Sequence, residues 1–366
     1  MNHTDYMRTA LELAKKGTGF VNPNPLVGAV IVKNGTVIGK GWHRKYGELH
    51  AERNAFADCE NNNNDCSGAD IYVTLEPCCH HGKTPPCTDA IIEHGIKRVF
   101  IGSPDPNPLV SGKGVKILRE HGIEVHENIL RDECDRLNEI FFHWITAQKP
   151  FVTLKYAMTM DGKIACCNGL SKWITGEEAR NHVQYERLRH SAVMVGTGTV
   201  SADDPMLTCR LENGRNPIRI LCDTNLKTKY NTNIISTAKE IPTIVATSHV
   251  CLIRQSLYHD AGCEVIEVPR KDGKVDLNIL MEKLAERNID SILLEGGGEL
   301  SWSALESGIV NKVQAYIAPK IFGGQDAKTP VGGMGVSSPD NAFMLTDPEV
   351  FRFGNDIMLE SKVIYR

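Results

Sequence analysis

The sequence predicts two consecutive α/β domains, the first of them a three-layer α/β/α domain. The 366 residues exceed the usual length of one domain. Strand-like and helix-like segments alternate through both halves of the chain. The periodicity stops at Gln148-Lys149-Pro150, and a new strand pattern begins at Phe151. We therefore expect a first domain at residues 1–148 and a second at residues 149–366.

In the first half, apolar residues at helical spacing over residues 6–15 predict a helix. The strand-like patterns at 26–32 and 36–41, joined by Asn34-Gly35, predict a β-hairpin. The later segments are a helix around 54–57, a strand at 71–75, a helix at 89–94, a strand at 98–101, a helix at 113–121, a strand at 123–125 and a helix at 130–147.

The second half repeats this alternation without repeating the sequence of the first. A helix is predicted at 277–287, and a hairpin at 350–365 turns around Gly354-Asn355-Asp356. Thr175 and Glu178 match a helix capping box, which predicts a structural role for both. The predicted strands are 151–154, 192–195, 218–222, 244–246, 265–268, 292–294 and 313–317.

Composition and charge exclude several classes of protein. The formal net charge is −4 and no block of Lys and Arg interrupts the chain, which disfavours general nucleic-acid binding. The longest apolar runs, such as residues 26–32, are about a third of a membrane span, and the N-terminus lacks a signal-peptide core. We therefore expect a cytoplasmic protein that does not enter membranes. Twelve cysteines in a chain of this length favour free thiols or a metal site over a disulfide scaffold.

The strongest functional signal combines two short segments of the first half. His50-Ala51-Glu52 opens a predicted helix, and Cys78 and Cys87 follow the strand at 71–75. One His and two Cys ligands, a fourth position open to water and a Glu that carries protons make up a zinc deaminase site. His50, Cys78 and Cys87 are therefore the predicted zinc ligands, and Glu52 is the predicted proton carrier. Residues two apart on a helix are separated by about 200° around its axis, so His50 must lie at a partly unwound helix start.

A closed structural zinc site is the alternative explanation of the same residues. It needs a fourth protein ligand, and Cys79 is poorly placed for that role because it is adjacent to Cys78. A purely structural site gives no role to Glu52. The candidates for the fourth ligand are Cys59, Cys66, Cys79, His80 and His81.

Two glycine-rich turns mark the second half. Glu295-Gly296-Gly297-Gly298 follows a strand and precedes a helical pattern, and Gly196-Thr197-Gly198-Thr199 follows the strand that ends at Val195. Such junctions can hold a pyrophosphate on free backbone N–H groups. Neither turn has the Gly-x-Gly-x-x-Gly fingerprint, so no Rossmann domain is predicted. Tight turns that merely need glycine remain an alternative.

The first half resembles the bifunctional pyrimidine deaminase/reductases of riboflavin biosynthesis. The shared segments are residues 24–30, 50–52, 76–78 and 84–87. Cytidine and tRNA-adenosine deaminases usually close this motif as Pro-Cys-x-x-Cys, whereas eight residues separate Cys78 from Cys87 here. The resemblance implies a cytidine-deaminase-like fold for residues 1–148. It also implies contacts with the pyrimidine and its ribose phosphate by Asn24, His43, His80 and Lys83. Asn24 as a turn former, His43 as a surface residue and Lys83 as a solvated cation remain the alternatives.

The resemblance continues through residues 151–157, 161–163, 171–175, 202–208 and 318–320, in that order. It implies a dihydrofolate-reductase-like α/β fold for residues 149–366. The implied NADPH contacts are Ala157, Trp173, Thr199, Asp203, Thr224 and Gly297. The implied substrate contacts are Ser171, Arg187, Leu207, Arg210 and Glu295.

The residue types suit the implied reduction. Arg187 and Arg210 offer forked donors for a 5′-phosphate. Lys155 with Glu295 would polarise and protonate the carbon–nitrogen unit of the sugar while hydride reaches C1′, so both are predicted catalytic residues.

The expected function is zinc-dependent hydrolytic deamination of 2,5-diamino-6-ribosylamino-4(3H)-pyrimidinone 5′-phosphate, followed by NADPH-dependent reduction of the ribosyl to the ribityl side chain. The expected cofactors are Zn²⁺ and NADPH, and the resemblance implies a homo-oligomer. One alternative is a single-activity reductase or nucleotide-binding protein with a structural zinc. A tRNA deaminase with an appended domain is another, but it would need a basic RNA-binding face.

Overall fold

The computed structural model describes residues 1–80 and 85–365, so the predicted phosphate contact Lys83 and the candidate ligand His81 lie outside the described residues. The chain forms two compact units, Met1–Gln148 and Lys149–Arg366. Among the described residues, we find no helix with the length and apolar character needed to cross a bilayer.

The first unit is a five-stranded sheet covered by helices on both faces. Its helices are α1 His3–Lys15, α2 Ala51–Asn61, α3 Cys87–Glu93, α4 Lys113–Glu120, α5 Arg131–Leu137 and α6 Glu139–Ala147. Its strands are β1 Gly28–Lys33, β2 Thr36–Trp42, β3 Asp70–Leu75, β4 Arg98–Ser103 and β5 Glu124–His126.

The strand order β2-β1-β3-β4-β5 begins with the predicted hairpin and ends with parallel strands. Alternate residues of β1 face opposite layers: Ala29 and Ile31 pack in the core with α2, and Val30 and Val32 pack in the core with α1. This period of two is what a sheet buried on both faces requires. The three-layer α/β/α prediction is confirmed.

The helix predicted over 130–147 consists of two helices that meet at Asn138. The Asn138 side chain accepts a hydrogen bond from the backbone N–H of Leu26 (2.8 Å) and donates one to the carbonyl oxygen of Leu26 (2.9 Å). The break thus satisfies both backbone groups of a residue 112 positions away, and a local sequence pattern cannot reveal such a partner.

The second unit is built on a long, mostly parallel sheet. Its helices are α7 Glu177–Arg189, α8 Thr197–Asp203, α9 Asn233–Ser236, α10 Leu252–Asp260, α11 Leu277–Ala285, α12 Gly298–Glu306 and the 3₁₀ helix Pro339–Asn341. Its strands are β6 Phe151–Thr159, β7 Ala192–Gly196, β8 Ile218–Cys222, β9 Thr243–Thr247, β10 Glu264–Glu267, β11 Arg270–Lys271, β12 Lys274–Val275, β13 Ser291–Leu294, β14 Lys312–Ala318, β15 Met344–Leu345, β16 Glu349–Phe353 and β17 Asp356–Ile364.

The order β10-β9-β8-β7-β13-β6-β14 is parallel, and β17 then joins β14 antiparallel as part of the predicted C-terminal hairpin. Parallel strands present their carboxyl ends at one edge of a sheet, where ligands bind in open α/β folds. Both glycine-rich turns, after β7 and after β13, therefore lie at the same edge.

The predicted capping box at the start of α7 is wrong. The N-cap of α7 is Gly176, and no side chain caps this helix. Its backbone N–H donates to the carboxylate of Asp356 at 2.6 Å. In a capping box the acidic residue three positions on accepts from the N-cap N–H, so Asp356 takes the role that Glu178 was expected to fill.

Candidate functional sites

A cavity of about 310 Å³ in the first unit collects most of the residues predicted for the first site. It lies where the carboxyl ends of β3 and β4 meet the start of α2. Predicted residues that line it are Asn24, His43, His50, Glu52, Cys78 and His80.

The three predicted zinc ligands come together beside this cavity. Their donor atoms all lie within 4.8 Å of one another, and each of the two Sγ atoms is 3.4 Å from Nδ1 of His50. Cys78 follows β3, and Cys87 begins α3 with its backbone N–H 3.0 Å from the carbonyl oxygen of Cys78. Among the described residues no other His, Cys, Asp or Glu joins this group. Cys59 and Cys66 are instead paired with each other as a disulfide.

The start of α2 explains how His50 and Glu52, two residues apart, can point into the same cavity. His50 is the N-cap of α2 and has an extended backbone (φ −71°, ψ 167°), while Glu52 lies in the first helical turn. The imidazole therefore leaves the chain before the helix begins, and both side chains reach one cavity.

The electrostatics of the group depend on burial and on close sulfur–nitrogen contacts. Glu52 is only 3% exposed, and burial raises the pKa of its carboxyl group. A hydrogen bond with the thiol of Cys87 lowers the pKa of Cys78, with the imidazole of His50 adding to the effect. The contact with Cys78 raises the pKa of His50, against the opposing effect of burial. The site can thus hold a thiolate next to a buried carboxyl group that titrates above its ordinary range.

His43 and Asn24 line the cavity next to the ligand group, and the ring of His43 meets that of His50 edge-on, with centroids 5.4 Å apart. Nδ1 of His43 donates to the carbonyl oxygen of Leu49 (3.1 Å), and the Nδ2 group of Asn24 donates to Nε2 of His43 (3.4 Å). His43 is 3% exposed, and burial lowers its pKa, so its ring is neutral at physiological pH. His80 also lines the cavity, and its buried Nδ1 has no hydrogen-bond partner in the described part of the chain.

Two polar residues of this cavity were missed by the sequence reasoning. Asp105 and Asn107 follow β4 and line the cavity. The backbone N–H of Asn107 donates to the carboxylate of Asp105 (2.8 Å), and burial raises the pKa of Asp105 to about 6. Their position after a strand parallel to β3 was the available signal, because parallel strands end at a common edge.

A larger cavity of about 720 Å³ lies in the second unit, along the carboxyl ends of β7, β8 and β13. Both glycine-rich turns line it, including Gly196, Thr197, Gly297 and Gly298. Ser171 and Asp203 also line it, and the hydroxyl of Ser171 donates to the carboxylate of Asp203 at 2.7 Å. The residues predicted to bind cofactor or substrate that line this cavity are Ser171, Thr199, Asp203, Thr224 and Gly297.

Lys155, Arg187 and Glu295 form a buried charged cluster. Arg187 donates two hydrogen bonds to the Glu295 carboxylate (2.6 and 2.9 Å) and a third to the carbonyl oxygen of Thr208 (3.0 Å). Nζ of Lys155 lies 3.8 Å from the same carboxylate, and the three side chains are only 11–14% exposed. Arg187 was expected to bind a phosphate, and three of its five N–H donors are engaged by Glu295 and Thr208.

The charges of this cluster are strongly coupled. Burial alone would raise the pKa of Glu295, but the charges of Arg187 and Lys155 outweigh burial and lower it to about 2. Burial lowers the pKa of Lys155, although Glu295 opposes this shift. Glu295 is therefore an anion at neutral pH, and Lys155 can release a proton more readily than a free lysine.

The remaining predicted residues of the second unit have different surroundings. Leu207 is buried in a hydrophobic core, while the Trp173 side chain is exposed and carries the Arg180 guanidinium 4.8 Å from its ring. Ala157 lies on β6, opposite Tyr316 of β14. Arg210 is exposed, and its backbone N–H donates to the side-chain oxygen of Gln184 (3.0 Å).

Each unit matches a known protein family, and relatives match the chain over its full length. Residues 1–103 match the family "Cytidine and deoxycytidylate deaminase zinc-binding region", and residues 150–359 match the family "RibD C-terminal domain". The chain is 54% identical to riboflavin biosynthesis protein RibD of Actinobacillus pleuropneumoniae over 364 residues, which cover 100% of this chain and 96% of the relative. It is 36% identical to RibD of Escherichia coli, with 97% of each chain covered.

Solved structures agree with these relatives. A diaminohydroxyphosphoribosylaminopyrimidine deaminase/5-amino-6-(5-phosphoribosylamino)uracil reductase from Thermotoga maritima superposes with a TM-score of 0.86 at 41% identity, covering 99% of this chain and 98% of the other. RibD of Acinetobacter baumannii superposes with a TM-score of 0.86 at 35% identity, covering 99% of each chain.

Proposed function

The chain belongs to the RibD family of bifunctional riboflavin biosynthesis enzymes, with a deaminase and a reductase in one polypeptide, and we propose how its two sites divide the work. The first unit removes the amino group of 2,5-diamino-6-ribosylamino-4(3H)-pyrimidinone 5′-phosphate by hydrolysis. The second unit then reduces the ribosyl group of the product to ribityl with NADPH.

The donor set of the first site fits a zinc ion. Three ligand atoms, one imidazole nitrogen and two sulfurs, lie within 4.8 Å of one another, and no other His, Cys, Asp or Glu of residues 1–80 and 85–365 joins them. A tetrahedral zinc ion held by these three would have its fourth position available to water. His50, Cys78 and Cys87 would hold the metal. Zinc with this ligand set lowers the pKa of water at the open position to near 7.

Glu52 is the proposed general base and acid of the deamination. It lies in the first turn of α2 beside the ligand group, and its pKa is raised by burial. A carboxyl group with a raised pKa both accepts and returns protons near neutral pH. It would take a proton from the attacking water and deliver it to the ring nitrogen. It would then take the second proton from the hydroxyl group added to the ring carbon and deliver it to the departing ammonia. The single observation that carries this proposal is a buried carboxyl group in the same cavity as three converging ligands.

Asn24 and His43 are the proposed contacts to the pyrimidine ring. Both residues line the cavity, and the bond to Leu49 fixes the tautomer of the His43 ring. His80, whose Nδ1 has no hydrogen-bond partner among the residues that the structure describes, is a proposed polar contact of the ribose phosphate.

The Glu52→Gln variant tests the first reaction. We expect it to keep about one zinc per chain, because Gln has the same shape, and to release ammonia at least about 100-fold more slowly, because an amide cannot carry the proton. Glu60→Gln, an exposed change at the other end of α2, is the matched control. Unchanged ammonia release in the Glu52 variant would favour the alternative of a structural zinc.

The cavity of the second unit fits a dinucleotide cofactor. The N-terminus of α12 and the turn before α8 both border it, so free backbone N–H groups can receive a pyrophosphate. A Cβ on Gly298 would lie 2.9 Å from the backbone nitrogen of Gly332, so a side chain there would disturb this wall. Bound NADPH supplies the hydride for C1′. Thr199, Asp203, Thr224 and Gly297 are the proposed contacts lining the cavity, while Ala157 and Trp173 remain predictions.

Lys155 is the proposed proton donor of the reduction. Glu295 has a pKa of about 2 and carries no proton at neutral pH, whereas the pKa of Lys155 is lowered by burial. Opening of the C1′–O4′ bond, with the proton of the ribosylamino nitrogen passing to O4′, would give a C1′–nitrogen double bond. Lys155 would therefore protonate this nitrogen as hydride reaches C1′, and Glu295 would hold the ammonium in place from 3.8 Å.

Arg210 is the proposed phosphate ligand of the second site. Three of the five N–H donors of Arg187 bind Glu295 and Thr208, so its contact with the substrate stays a prediction. The side chain of Arg210 is exposed, and its backbone N–H is held by Gln184. Ser171 remains a proposed substrate contact at the cavity. The role of Leu207 stays a prediction, as do cytoplasmic location and homo-oligomerisation.

The order of the two reactions can be tested with the diaminopyrimidine ribotide in the presence and absence of NADPH. We expect ammonia without cofactor, and loss of NADPH absorbance only after ammonia has been released. Oxidation of NADPH before any ammonia appears would contradict the proposed order.

A further inference from the structure

Glu76 makes an unusual set of contacts beside the first site. Its carboxylate is 4% exposed and accepts four backbone N–H groups. Oε2 accepts from Gly112 (3.0 Å) and Asp105 (3.4 Å), and Oε1 accepts from Gly114 (3.1 Å) and Val115 (3.3 Å). All four donors lie in the segment from the end of β4 to the first turn of α4, defined as the 105–115 segment.

These bonds supply a helix cap that the 105–115 segment lacks. The N-cap of α4 is Gly112, in a left-handed conformation (φ 73°) and without a side chain to cap the helix. The N–H groups of Gly114 and Val115 belong to the first turn of α4, which a capping side chain normally satisfies. Glu76 provides this cap from the end of β3, and its negative charge complements the helix dipole.

The same bonds connect two walls of the cavity. Glu76 immediately precedes Pro77 and the predicted ligand Cys78, while Asp105, Asn107 and Val110 form the facing wall. Gly114 shows how close the approach is, because a Cβ there would clash with the carbonyl oxygen of Pro77 and lie 3.2 Å from Oε1 of Glu76.

We propose that Glu76 is a positioning residue for deamination, which sets substrate affinity by holding the 105–115 segment against the loop that carries Cys78. This inference rests on the proposed deamination and deepens it. Glu76 touches backbone N–H groups of the wall, so its loss should displace the wall that meets the substrate and leave the zinc ligands and Glu52 in place.

The test is the steady-state release of ammonia from the diaminopyrimidine ribotide by the full-length, zinc-loaded enzyme. Glu76→Gln keeps the side-chain volume, but its amide NH₂ faces two N–H donors, so about half of the bonds are lost. We expect KM to rise at least about tenfold, because the 105–115 segment loses about half of the charge-assisted bonds that hold it against the loop. We expect kcat to stay within about threefold and the zinc content to stay near one per chain, because the reacting groups are untouched.

Two further variants separate positioning from general damage. Gly114→Ala keeps the Glu76 side chain but should push the 105–115 segment away from the loop that carries Cys78, so KM should rise as it does in Glu76→Gln. If Glu76→Gln does not fold, Gly114→Ala alone tests the proposal. Glu120→Gln makes the same chemical change at the exposed end of α4 and should leave KM unchanged. NADPH oxidation with deaminated substrate reports on the second unit of each variant.

Several results would overturn the proposal. They are an unchanged KM in Glu76→Gln, an unchanged KM in Gly114→Ala, a fall in kcat at constant KM, loss of zinc, or an equal effect of Glu120→Gln. A wild-type chain that releases no ammonia would overturn the proposed deamination itself, and this inference with it. Normal wild-type activity with an unaffected Glu76 variant overturns this inference alone.

Discussion

Replacing Arg187 by Gln tests whether the buried charged cluster stabilises the second unit. The change removes two hydrogen bonds to Glu295 and one to the carbonyl oxygen of Thr208. Glu295 then keeps Lys155, at 3.8 Å, and the weaker influence of Arg210 as its cationic partners. Because the pair is only 11% exposed on each side, water cannot replace the lost guanidinium.

The magnitude follows from the pKa of Glu295. Although burial opposes it, the neighbouring cations, chiefly Arg187 and Lys155, lower this pKa from 4.5 to about 2, a difference that corresponds to about 3 kcal/mol of folding free energy at neutral pH. A lowered carboxyl pKa stabilises the fold above the unfolded value of 4.5, and the contribution is lost as the pH falls from 4.5 toward 2. Since Lys155 remains, we expect Arg187→Gln to cost about 2–3 kcal/mol at pH 7.

Differential scanning calorimetry of the full-length protein at pH 7 measures this loss. For a domain of this size about 1 kcal/mol lowers Tm by about 2–4 °C, so the transition of the second unit should fall by about 5–10 °C. Arg287→Gln is the matched control, because Arg287 forms a pair of similar length with Glu264 (2.7 Å) whose side chains are 34% and 49% exposed. An exposed pair of this kind contributes about 0–1 kcal/mol. Equal Tm values for the two variants would refute the reasoning from burial.

Three further substitutions test the proton donor of the reduction, the zinc ligands and the buried Arg219. Lys155→Met should slow NADPH oxidation at least about 100-fold and leave ammonia release unchanged. Burial lowers the pKa of Lys155, so in the wild type the rate of reduction should begin to fall at a lower pH than it would with an ordinary lysine. A pH–rate profile of NADPH oxidation measures this. Cys87→Ser should lose zinc and ammonia release while NADPH oxidation with deaminated substrate persists, as metal analysis and the two activity assays would show; retained ammonia release would contradict the ligand assignment. Arg219→Met should destabilise the second unit by about 2–4 kcal/mol, as measured by denaturant unfolding. The reason is that the buried Arg219 donates hydrogen bonds to the Thr243 hydroxyl (2.6 Å) and the Ile241 carbonyl oxygen (3.2 Å). A smaller loss of stability than in Arg287→Gln would contradict this prediction.

Much of the fold could be predicted because hydrophobic periodicity is a local property. The hairpin at Asn34-Gly35 and the alternating segments follow from the residues within each element. The two local errors have a common cause, since the break at Asn138 and the uncapped start of α7 both depend on partners more than 100 residues away. A local pattern contains no information about such partners.

The candidate sites divide in the same way. The sequence by itself determined the types of chemistry available: one imidazole, two thiols and a carboxyl group in the first half, and glycine-rich turns after strands in the second. Only the tertiary structure decided which of these groups meet and what their charges become. It brought Asp105 and Glu76 to the first cavity and turned Arg187 toward Glu295, because burial and close approach, which fix pKa values and hydrogen-bond partners, arise only when distant segments pack together.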